Sequence, residues 1–383
     1  MTNNILPRGY KDSPLGIIPK EWEVKRILDF APLQRGFDLP TDKIISGKYP
    51  VVYSNGILNH HCECKAKGPG VVTGRSGTIG KVTYVESDYW PHNTSLWVTD
   101  FCGNNPKFVF HVYQYIDLAK FASGSGVPTL NRNDVHVSKV AVPPKQEQNR
   151  IVEVLELWDT AIEKQSELIE KFKLRKRALM QQLLTGKKRL PGFSEEWKEV
   201  KLGDIFDERN EINRDDLPLL SITGDKGVIY QSESDKRDIS NDDKSKYKRI
   251  CPNDIGYNTM RMWQGRSALS NIEGIVSPAY TIVTPHQNVD VRFMAMLIQQ
   301  PRIVYDFWTH SQGLVSDTLN CKYPDFCQVK VRIPSKEGQT AIADMLYDFD
   351  KEINLANEKL ASLQSQKRGL MQQLLTGKKR IMK

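Results

Sequence analysis

Four polar segments carry side chains suited to contacting the edges of nucleotide bases. They lie at residues 73–81, 123–132, 258–266 and 311–318, and we name them the first, second, third and fourth polar loops. Arginine presents a planar fork of N–H donors, while amide and hydroxyl side chains both donate and accept hydrogen bonds. The third polar loop adds Trp and Met, which can pack against bases or sugars. The chemistry indicated is hydrogen bonding to, and packing against, nucleotide bases.

The candidate DNA contacts fall into two sets, one in each half of the chain. The first set is Arg75, Ser76, Thr78, Lys81, Ser123, Ser125, Thr129, Asn131 and Arg132. The second set is Asn258, Thr259, Arg261, Trp263, Arg266, Tyr280, Ser311, Gln312 and Thr318. Arg75 and Arg261 rank first, because an arginine fork on guanine is the commonest base-specific contact. Each residue alone is more typical of a solvated loop than of a base contact, and the glycines of the first polar loop are typical of a hairpin turn.

No motif predicts catalysis by the chain itself. Adenine methyltransferases carry an Asn/Asp-Pro-Pro-aromatic motif, and the nearest strings here, at 105–108 and 142–145, do not fit it. The Gly-Lys pairs at 186–187 and 377–378 are followed by Lys, whereas a nucleotide-binding loop needs Ser or Thr at that position. We therefore expect a non-catalytic chain that binds no cofactor of its own.

One cluster has donor atoms at a spacing that could suit a metal. Cys62 and Cys64 follow His60 and His61, but a C-x-C pair without a second distant pair is a weak zinc motif. Six cysteines in 383 residues also do not make a disulfide framework. We expect ordinary thiols and no metal site.

The charge of the chain favours a polyanionic partner. The net charge is +8, and the segments 145–189 and 336–383 contribute +4 and +3 of it. The rest of the chain is close to neutral, and basic residues near a helix C-terminus also have a purely local explanation in the helix dipole. No run of about 18 apolar residues and no apolar signal-peptide core occur, so we expect a cytoplasmic protein.

An internal repeat sets the architecture. The string Met-Gln-Gln-Leu-Leu-Thr-Gly-Lys-Lys-Arg occurs at 180–189 and 371–380, an offset of 191 residues. In both copies apolar residues recur at steps of four and three over five heptads, which predicts two long helices that pair as a coiled coil. Gln165, Lys176 and Lys367 interrupt the seams, as polar residues that fix register do. The alternative is that each helix packs only on its neighbouring domain.

Between the repeats the sequence differs almost everywhere and reads as mixed α/β. We predict domains at 1–144 and 191–335, each followed by a repeated helical segment at 145–190 and 336–383. Short β-rich runs are separated by Gly, Asn, Asp and Pro, with helices expected at 107–122 and 291–307. A strand leads into each long helix, at 137–142 and 328–333. The fold class is α+β: two α/β domains and an antiparallel pair of helices with pseudo-two-fold symmetry.

These features together resemble the specificity subunit of type I restriction-modification systems. The resemblance rests on the doubled helix end, each copy preceded by Pro, Gln and Ile, and on the Leu-Pro-Gly-Phe-Ser-Glu-Glu-Trp string at 190–197. Segments 74–80 and 274–280 look like motifs of its target-recognition domains. One departure is that Glu147 of the first copy is matched by Gly338 in the second. The resemblance covers essentially the whole chain.

The resemblance implies a DNA-recognition subunit in which each target-recognition domain reads one half of a split, asymmetric site. The paired helices would set the spacer and dock two methyltransferase subunits, and two restriction (motor-nuclease) subunits would join them. S-adenosylmethionine would bind the methyltransferase partner, and ATP and Mg the restriction partner. The alternatives are a related system whose partner fuses methyltransferase and nuclease, or an assembly scaffold without DNA reading, as the near-neutral domains permit. A self-sufficient enzyme ranks third.

Overall fold

Two long helices occupy the repeated segments, as the heptad pattern predicts. In the computed structural model they span Lys145–Leu183 and Lys336–Leu375, and we call them the first and second long helices. Each is followed by a glycine in the left-handed region, Gly186 (φ 69°) and Gly377 (φ 73°). Glycine adopts this conformation without steric penalty, so the chain turns away from the helix there. The residues that the structure describes are 6–124, 126–224, 226–234, 238, 240–313 and 318–381.

The chain divides into two units, and each is described by itself. The first unit is Met1–Glu167 with Asn357–Lys383, and the second unit is Leu168–Ala356. Each unit therefore contains one of the two non-repeated domains, which we call the first and second inserts. Each also contains the start of one long helix and the end of the other.

The long helices pair antiparallel within each unit. In the first unit Ile151, near the start of the first long helix, shares a buried core with Leu374, near the end of the second. In the second unit Leu183 and Ile342 make the reverse arrangement. Antiparallel pairing is therefore confirmed. The same cores contain many residues of the inserts, so each helix packs on its insert as well as on the other helix.

Two ion pairs follow the internal repeat. Lys176 and Lys367 interrupt the apolar seams, and each is matched by an aspartate of the other helix. The Lys176 ammonium lies 2.5 Å from Asp350 Oδ1 in the second unit, and the Lys367 ammonium lies 2.5 Å from Asp159 Oδ1 in the first. Lys176 and Lys367 are 191 residues apart, as are Asp159 and Asp350. A seam lysine that needs one particular aspartate fixes the register of the helices.

Repeated polar residues also fasten each insert to its helix. The Gln148 side chain accepts a hydrogen bond from the backbone N–H of Asn105 at 2.8 Å. Its repeat equivalent Gln339 accepts from the backbone N–H of Asp290 at 2.9 Å. Asn105 and Asp290 are both N-cap residues, because their side chains accept hydrogen bonds from the first turn of the helix that follows them. The same bond thus joins each long helix to a helix of its insert.

Each insert begins and ends on one antiparallel ribbon. Glu23–Arg26 pairs with Lys139–Val142 in the first unit. Lys198–Lys201 pairs with Lys330–Ile333 in the second. The strands predicted just before the long helices are therefore present, although they start two residues later than predicted. The paired strands therefore bring the two ends of the intervening segment side by side, next to the start of the long helix that follows.

A four-stranded antiparallel sheet with the same strand order forms the centre of each insert. In the first insert its order is Leu33–Arg35, Ser95–Val98, Gly70–Gly74 and Val82–Val85. In the second insert its order is Phe206–Glu208, Tyr280–Pro285, Ile255–Asn258 and Ser267–Leu269. The common order shows that the two inserts share a plan that their sequences do not reveal.

The remaining elements differ more between the inserts. The first insert has strands Tyr10–Lys11, Ile18–Pro19, Tyr49–Tyr53, Gly56–His61, Trp90–Pro91, Ala122–Ser123 and Thr129–Leu130, and helices Ile27–Phe30, Pro106–Tyr115 and Arg132–His136. The second has strands Leu220–Ile222, Val228–Tyr230, Lys248–Ile250 and Gly274–Val276, and helices Val291–Leu297, Pro301–His310 and Tyr323–Gln328. Variation is thus concentrated outside the central sheets.

Both helices predicted within the inserts are interrupted. The helix predicted at 107–122 ends at Tyr115, and a 3-10 turn follows that places Leu118 in the core. The helix predicted at 291–307 is two helices, Val291–Leu297 and Pro301–His310. Proline lacks an N–H and clashes with the preceding turn, so Pro301 can begin a helix but not lie inside one.

Candidate nucleic-acid interface

Equivalent edges of the two central sheets carry polar loops. The first polar loop joins strands Gly70–Gly74 and Val82–Val85. The third polar loop joins Ile255–Asn258 and Ser267–Leu269, the two strands at the same place in the second sheet. The sheets therefore present these two loops in the same way, although the loops share little sequence.

The first and second polar loops are hydrogen-bonded to each other. The backbone N–H of Gly77 donates to the carbonyl of Pro128 at 3.1 Å, and that of Leu130 donates to the carbonyl of Arg75 at 2.8 Å. Ser76 and Thr129 form an isolated β-bridge between the loops. Residues some 50 positions apart in sequence thus form one continuous polar surface in the first unit.

In the second unit the third polar loop is hydrogen-bonded to the segment that follows the fourth polar loop. The backbone N–H of Cys321 donates to the carbonyl of Thr259 at 2.9 Å. Gln312 and Asn320 form an isolated bridge that closes the base of the fourth loop. The segment after the fourth polar loop thus lies beside the third loop, whereas the two polar loops of the first insert bond to each other directly.

Some candidate side chains are exposed and make no hydrogen bond or ion pair with other described residues. This set is Thr78, Arg132, Arg261 and Arg266. Three of the four are arginines, whose guanidinium groups stay charged and offer five N–H donors each. Their free donor groups can bond phosphate oxygens or the acceptor atoms of guanine. These side chains are the ones most open to a ligand.

Other candidate side chains already have local partners. Arg75 Nη1 donates to the carbonyl of Asn93 at 3.4 Å, and Lys81 Nζ donates to the carbonyl of Asn55 at 2.6 Å. Further local bonds involve Ser123, Thr129, Asn131, Asn258, Thr259, Trp263, Tyr280, Ser311 and Gln312. Asn131, for example, caps a helix by accepting from the backbone N–H of Asn133. Thr318 is exposed, Ser76 is half-buried, and Ser125 lies outside the described residues.

A cavity of about 550 Å³ opens beside the third polar loop. Asn258, Arg261, Arg266 and Tyr280 line one side of it. Burial raises the pKa of the Tyr280 hydroxyl, which donates to the carbonyl of Ile222 at 3.5 Å. Four candidates from two separated stretches of sequence are thereby gathered around one concave surface.

The opposite wall of this cavity comes from residues that the sequence did not single out. It is formed by the hairpin of Leu220–Ile222 and Val228–Tyr230, with Thr223 and Gly224 in its turn. Gly224 lies directly against Arg266, since a Cβ atom there would come within 2.1 Å of the guanidinium. The Thr-Gly-Asp-Lys-Gly string at 223–227 is a turn motif, but its sequence distance from the third polar loop hid the contact.

A buried ion pair supports the strand that leads into the third polar loop. Asp254, which is 1% exposed, accepts hydrogen bonds from Arg209 at 2.7 and 3.2 Å. It also accepts from the backbone N–H of Cys251 and the hydroxyl of Thr284. The hydrogen bond to Asp254 raises the pKa of Arg209. The carboxylate thereby connects neighbouring strands and fixes the start of Ile255–Asn258.

Within the described part of the chain, no group of three or more His, Cys, Asp or Glu side chains is placed to hold a metal ion. His61, next to Cys62, instead places Nδ1 3.1 Å from the backbone of Ile45. No described helix is long and apolar enough to cross a membrane.

Several curated proteins are similar in sequence. The chain is 22% identical to the type I restriction enzyme MjaVIII specificity subunit of Methanocaldococcus jannaschii over 286 residues, which cover 67% of this chain and 66% of that protein. It is 29% identical to the putative specificity subunit S.HindORF215P of Haemophilus influenzae, over 36% and 37% of the two chains. These two matches span less than two thirds of the relatives' own lengths. The putative MjaX specificity subunit of M. jannaschii matches at 22% identity over 97% of both chains.

Two solved structures share the fold. The type I restriction-modification S subunit from M. genitalium superposes with a TM-score of 0.55 at 15% identity, covering 92% of this chain and 96% of that one. A chain from a study of complex assembly and conformational transition of the type I restriction-modification system gives a TM-score of 0.58 at 14% identity, with coverages of 94% and 99%. At these identities the likeness concerns the fold alone.

The family model for the type I restriction modification DNA specificity domain matches the chain twice, at residues 19–171 and 194–365. Each match contains one insert and most of the long helix that follows it. The matches therefore follow the internal repeat and include the four polar loops. The chain belongs to the type I restriction-modification specificity family and carries two copies of its DNA specificity domain.

Proposed function

We propose that each insert reads one half of a bipartite, asymmetric DNA site and that the paired long helices set the unread spacer between the halves. The chain itself contributes recognition, and the chemistry takes place on partner subunits. The inserts determine which DNA sequence is bound. The repeated long helices, which we call the frame, determine the distance between the two half-sites.

The observation that carries the proposal is the contrast between a repeated frame and non-repeated polar loops. The ion pairs of Lys176 and Lys367 and the glutamine bonds of Gln148 and Gln339 are the same in both units. The polar loops occupy the same sheet edge in both units but differ in sequence. Two inserts with the same sheet order but different loop side chains would recognise two different half-sites. The combined DNA target would therefore be asymmetric.

The side chains available on the loops suit the major groove. Arg261 and Arg266 border one cavity, and their guanidinium groups have no protein partner among the described residues. A bidentate arginine on guanine discriminates against other bases by about 1–3 kcal/mol. In the first unit Arg132 is equally open, while Arg75 is held beside the second polar loop. We assign base reading to these arginines and backbone positioning to the hydroxyl and amide groups around them.

The frame also offers two equivalent surfaces to partners. Gln181 and Gln372 are exposed equivalents, as are Lys187 and Lys378, and exposed residues of this kind are not needed by either core. We propose that these helix ends dock two methyltransferase subunits, which bind S-adenosylmethionine and methylate adenine N6. Two restriction subunits that use ATP and Mg complete the larger complex.

The decisive experiment maps methylated adenines in DNA from cells that express the chain with its methyltransferase, against cells without the chain. We expect methylation at one split, asymmetric sequence that depends on the chain. Arg261→Ala should relax or weaken the recognition of one half-site only. The matched control Lys198→Ala changes an exposed residue in the strand Lys198–Lys201 of the same insert and should leave the recognition of both half-sites unchanged. Equal loss at both half-sites contradicts the assignment of the second insert to one half.

The same preparation separates the rival interpretations. A single co-purifying partner with the mass of a fused methyltransferase and nuclease points to the related system. Retention of DNA by the assembled complex that is sequence-selective and weakens with salt excludes a scaffold without DNA reading, because contacts with phosphates release counterions.

A further inference from the structure

In the first unit a buried carboxylate links the start of the first long helix to the segment that follows the second. Glu147, 6% exposed, accepts a hydrogen bond from the indole Nε1–H of Trp22 at 3.0 Å. It also accepts two from Arg380, at 3.1 Å from Nε and 2.8 Å from Nη2. Arg380 also forms an ion pair with Glu21, so it holds the segment after the second long helix against both the first long helix and the start of the first insert. We call this arrangement the carboxylate clamp.

The second unit keeps both donors of the clamp and lacks its acceptor. Arg189 is the repeat equivalent of Arg380, and Trp197 stands at the start of the second insert as Trp22 does in the first. The position of Glu147 is taken by Gly338. Within the described part of the chain, the Trp197 indole N–H makes no hydrogen bond and is not enclosed by protein, and Arg189 makes no ion pair. The Arg189 guanidinium instead lies over the Trp197 ring, 5.7 Å from its centroid, and bonds the carbonyl of Glu195.

Space is present where the carboxylate is missing. A cavity of about 210 Å³ lies at this point, and Gly338, Trp197, Arg189, Lys188 and Phe193 are among the residues that line it. Exposed residues of both charges line this cavity, Lys188 and Arg189 with Glu195 and Glu337, and Phe193, Trp197 and Ile342 add apolar surface. An anion with a short apolar stem would contact the Arg189 guanidinium and the apolar surface, as the side chain of Glu147 contacts Arg380 and Trp22 in the first unit.

We propose that this cavity binds a carboxylate group supplied by another molecule, held between the Arg189 guanidinium and the Trp197 indole N–H. The internal repeat provides the template, because the same two donor types surround a carboxylate in the first unit. The ligand class is an organic carboxylate. The two units would thus differ chemically, because the first supplies its own carboxylate and the second takes one from another molecule. The carboxylate belongs either to a small free molecule or to an acidic side chain of a docked partner.

Acetate is the probe for the first test, with chloride at equal ionic strength as the reference. In a ¹⁵N-labelled chain the indole resonance of Trp197, assigned through Trp197→Phe, should shift saturably with millimolar acetate. Arg189→Gln, at an exposed position, should abolish the shift. Its matched control, Lys187→Gln on the same exposed segment but outside the cavity lining, should retain it.

Two reciprocal variants test the origin of the site in the repeat. Gly338→Glu should fill the cavity from within, move the Trp197 indole resonance without acetate and remove the acetate response. A Cβ at Gly338 meets Pro334 at 3.1 Å and Phe193 at 3.4 Å, so small shifts of those side chains suffice. Glu147→Gly should open the equivalent space in the first unit and confer an acetate response on Trp22. An unresponsive Trp197 indole in a folded wild-type chain overturns the proposal.

The source of the carboxylate is decided by assembly. If a partner supplies an acidic side chain, Gly338→Glu should reduce the number of methyltransferase subunits bound from two to one, measured by native mass. If two remain while acetate binds the wild-type cavity, the ligand is a free carboxylate. This subunit count rests on the proposed function. If the proposed function is wrong, the wild-type chain will bind no methyltransferase, and that result is distinct from a failure of the carboxylate proposal.

Discussion

The ammonium group of Lys367 lies 2.5 Å from the carboxylate of Asp159, across the interface between the two long helices. The Lys367 side chain is 10% exposed and that of Asp159 is 43% exposed, so the lysine loses most of its hydration and depends on this partner. Lys176 and Asp350 repeat the contact in the second unit. Each copy of the repeat thus contributes one lysine and one aspartate. Antiparallel pairing brings the lysine of each copy to the aspartate of the other.

Removing that partner should destabilise the first unit. Asp159→Asn leaves the Lys367 ammonium poorly solvated and without its ion pair, and we expect the free energy of unfolding to fall by about 1–3 kcal/mol. Urea denaturation followed by circular dichroism measures the loss. The control is Asp348→Asn, whose partner Lys351 is one turn away on the same helix and whose ion pair is largely exposed. That change should cost at most about 0.5 kcal/mol. Equal losses in both variants contradict a register role for Asp159.

A buried histidine beside the same ion pair should make stability depend on pH. His111 is 1% exposed, and burial, with a further contribution from the Lys367 charge, lowers its pKa from 6.5 to about 4. Between these values the unfolded chain binds a proton that the folded chain does not. Stability is therefore complete above pH 6.5 and should fall by about 1.4 kcal/mol per pH unit as the pH drops toward 4.

The variant His111→Asn isolates this contribution from that of the carboxylates. Its free energy of unfolding should vary less steeply between pH 6.5 and 4 than that of the wild-type chain. His60→Asn, at an exposed histidine, should keep the wild-type slope. If the slopes of the wild-type chain and His111→Asn coincide, protonation of His111 is not coupled to folding.

A methyl group at Gly224 should disturb reading by the second insert without unfolding it. The added Cβ would come within 2.1 Å of Arg266 Nη1, and the flexible guanidinium can swing away. If Arg266 contacts a base or phosphate from its present position, Gly224→Ala should weaken binding about tenfold, equivalent to one base contact. Binding to DNA variants in each half-site measures the effect. Loss at the half-site of the first insert would argue against this placement of Arg266.

Replacing a glycine within the second long helix should stabilise the folded chain. A Cβ at Gly369 meets no atom within 4 Å, and the residue lies inside Lys336–Leu375. Gly369→Ala should raise the free energy of unfolding by about 0.5–1 kcal/mol, because alanine loses less backbone entropy in a helix. Differential scanning calorimetry should show a higher transition temperature with unchanged DNA reading. A destabilised variant would indicate a contact of this helix face with another molecule.

The order of the central sheet shows where sequence reasoning about the fold reached its limit. The β-rich runs at 70–74 and 95–99 predict strands, and the structure has Gly70–Gly74 and Ser95–Val98. Their neighbours could not be predicted, because strand partners are chosen by contacts far apart in the chain. The shared order of the two sheets is therefore visible only in three dimensions. Pro301, which divides a predicted helix, was a local signal present in the sequence.

The candidate interface shows the same limit at the level of side chains. Residue types singled out the four polar loops, but not which arginines would be free. Lys81 reaches Asn55 in the first unit, while its sheet equivalent Arg266 lies against Gly224 in the second. Both contacts join segments more than 20 residues apart, so composition alone could not distinguish an engaged cation from an open one.

The sequence by itself determined the internal repeat, the two long helices and their heptad seams, because a helix is specified by neighbours three and four residues apart. It also determined the family, through motifs that recur at a fixed offset. Only the tertiary structure decided that Lys367 faces Asp159, that the first and second polar loops bond to each other, and that Gly338 leaves a cavity where Glu147 closes a clamp. These relationships depend on long-range contacts, and two segments with the same local pattern acquire different surroundings once the chain folds.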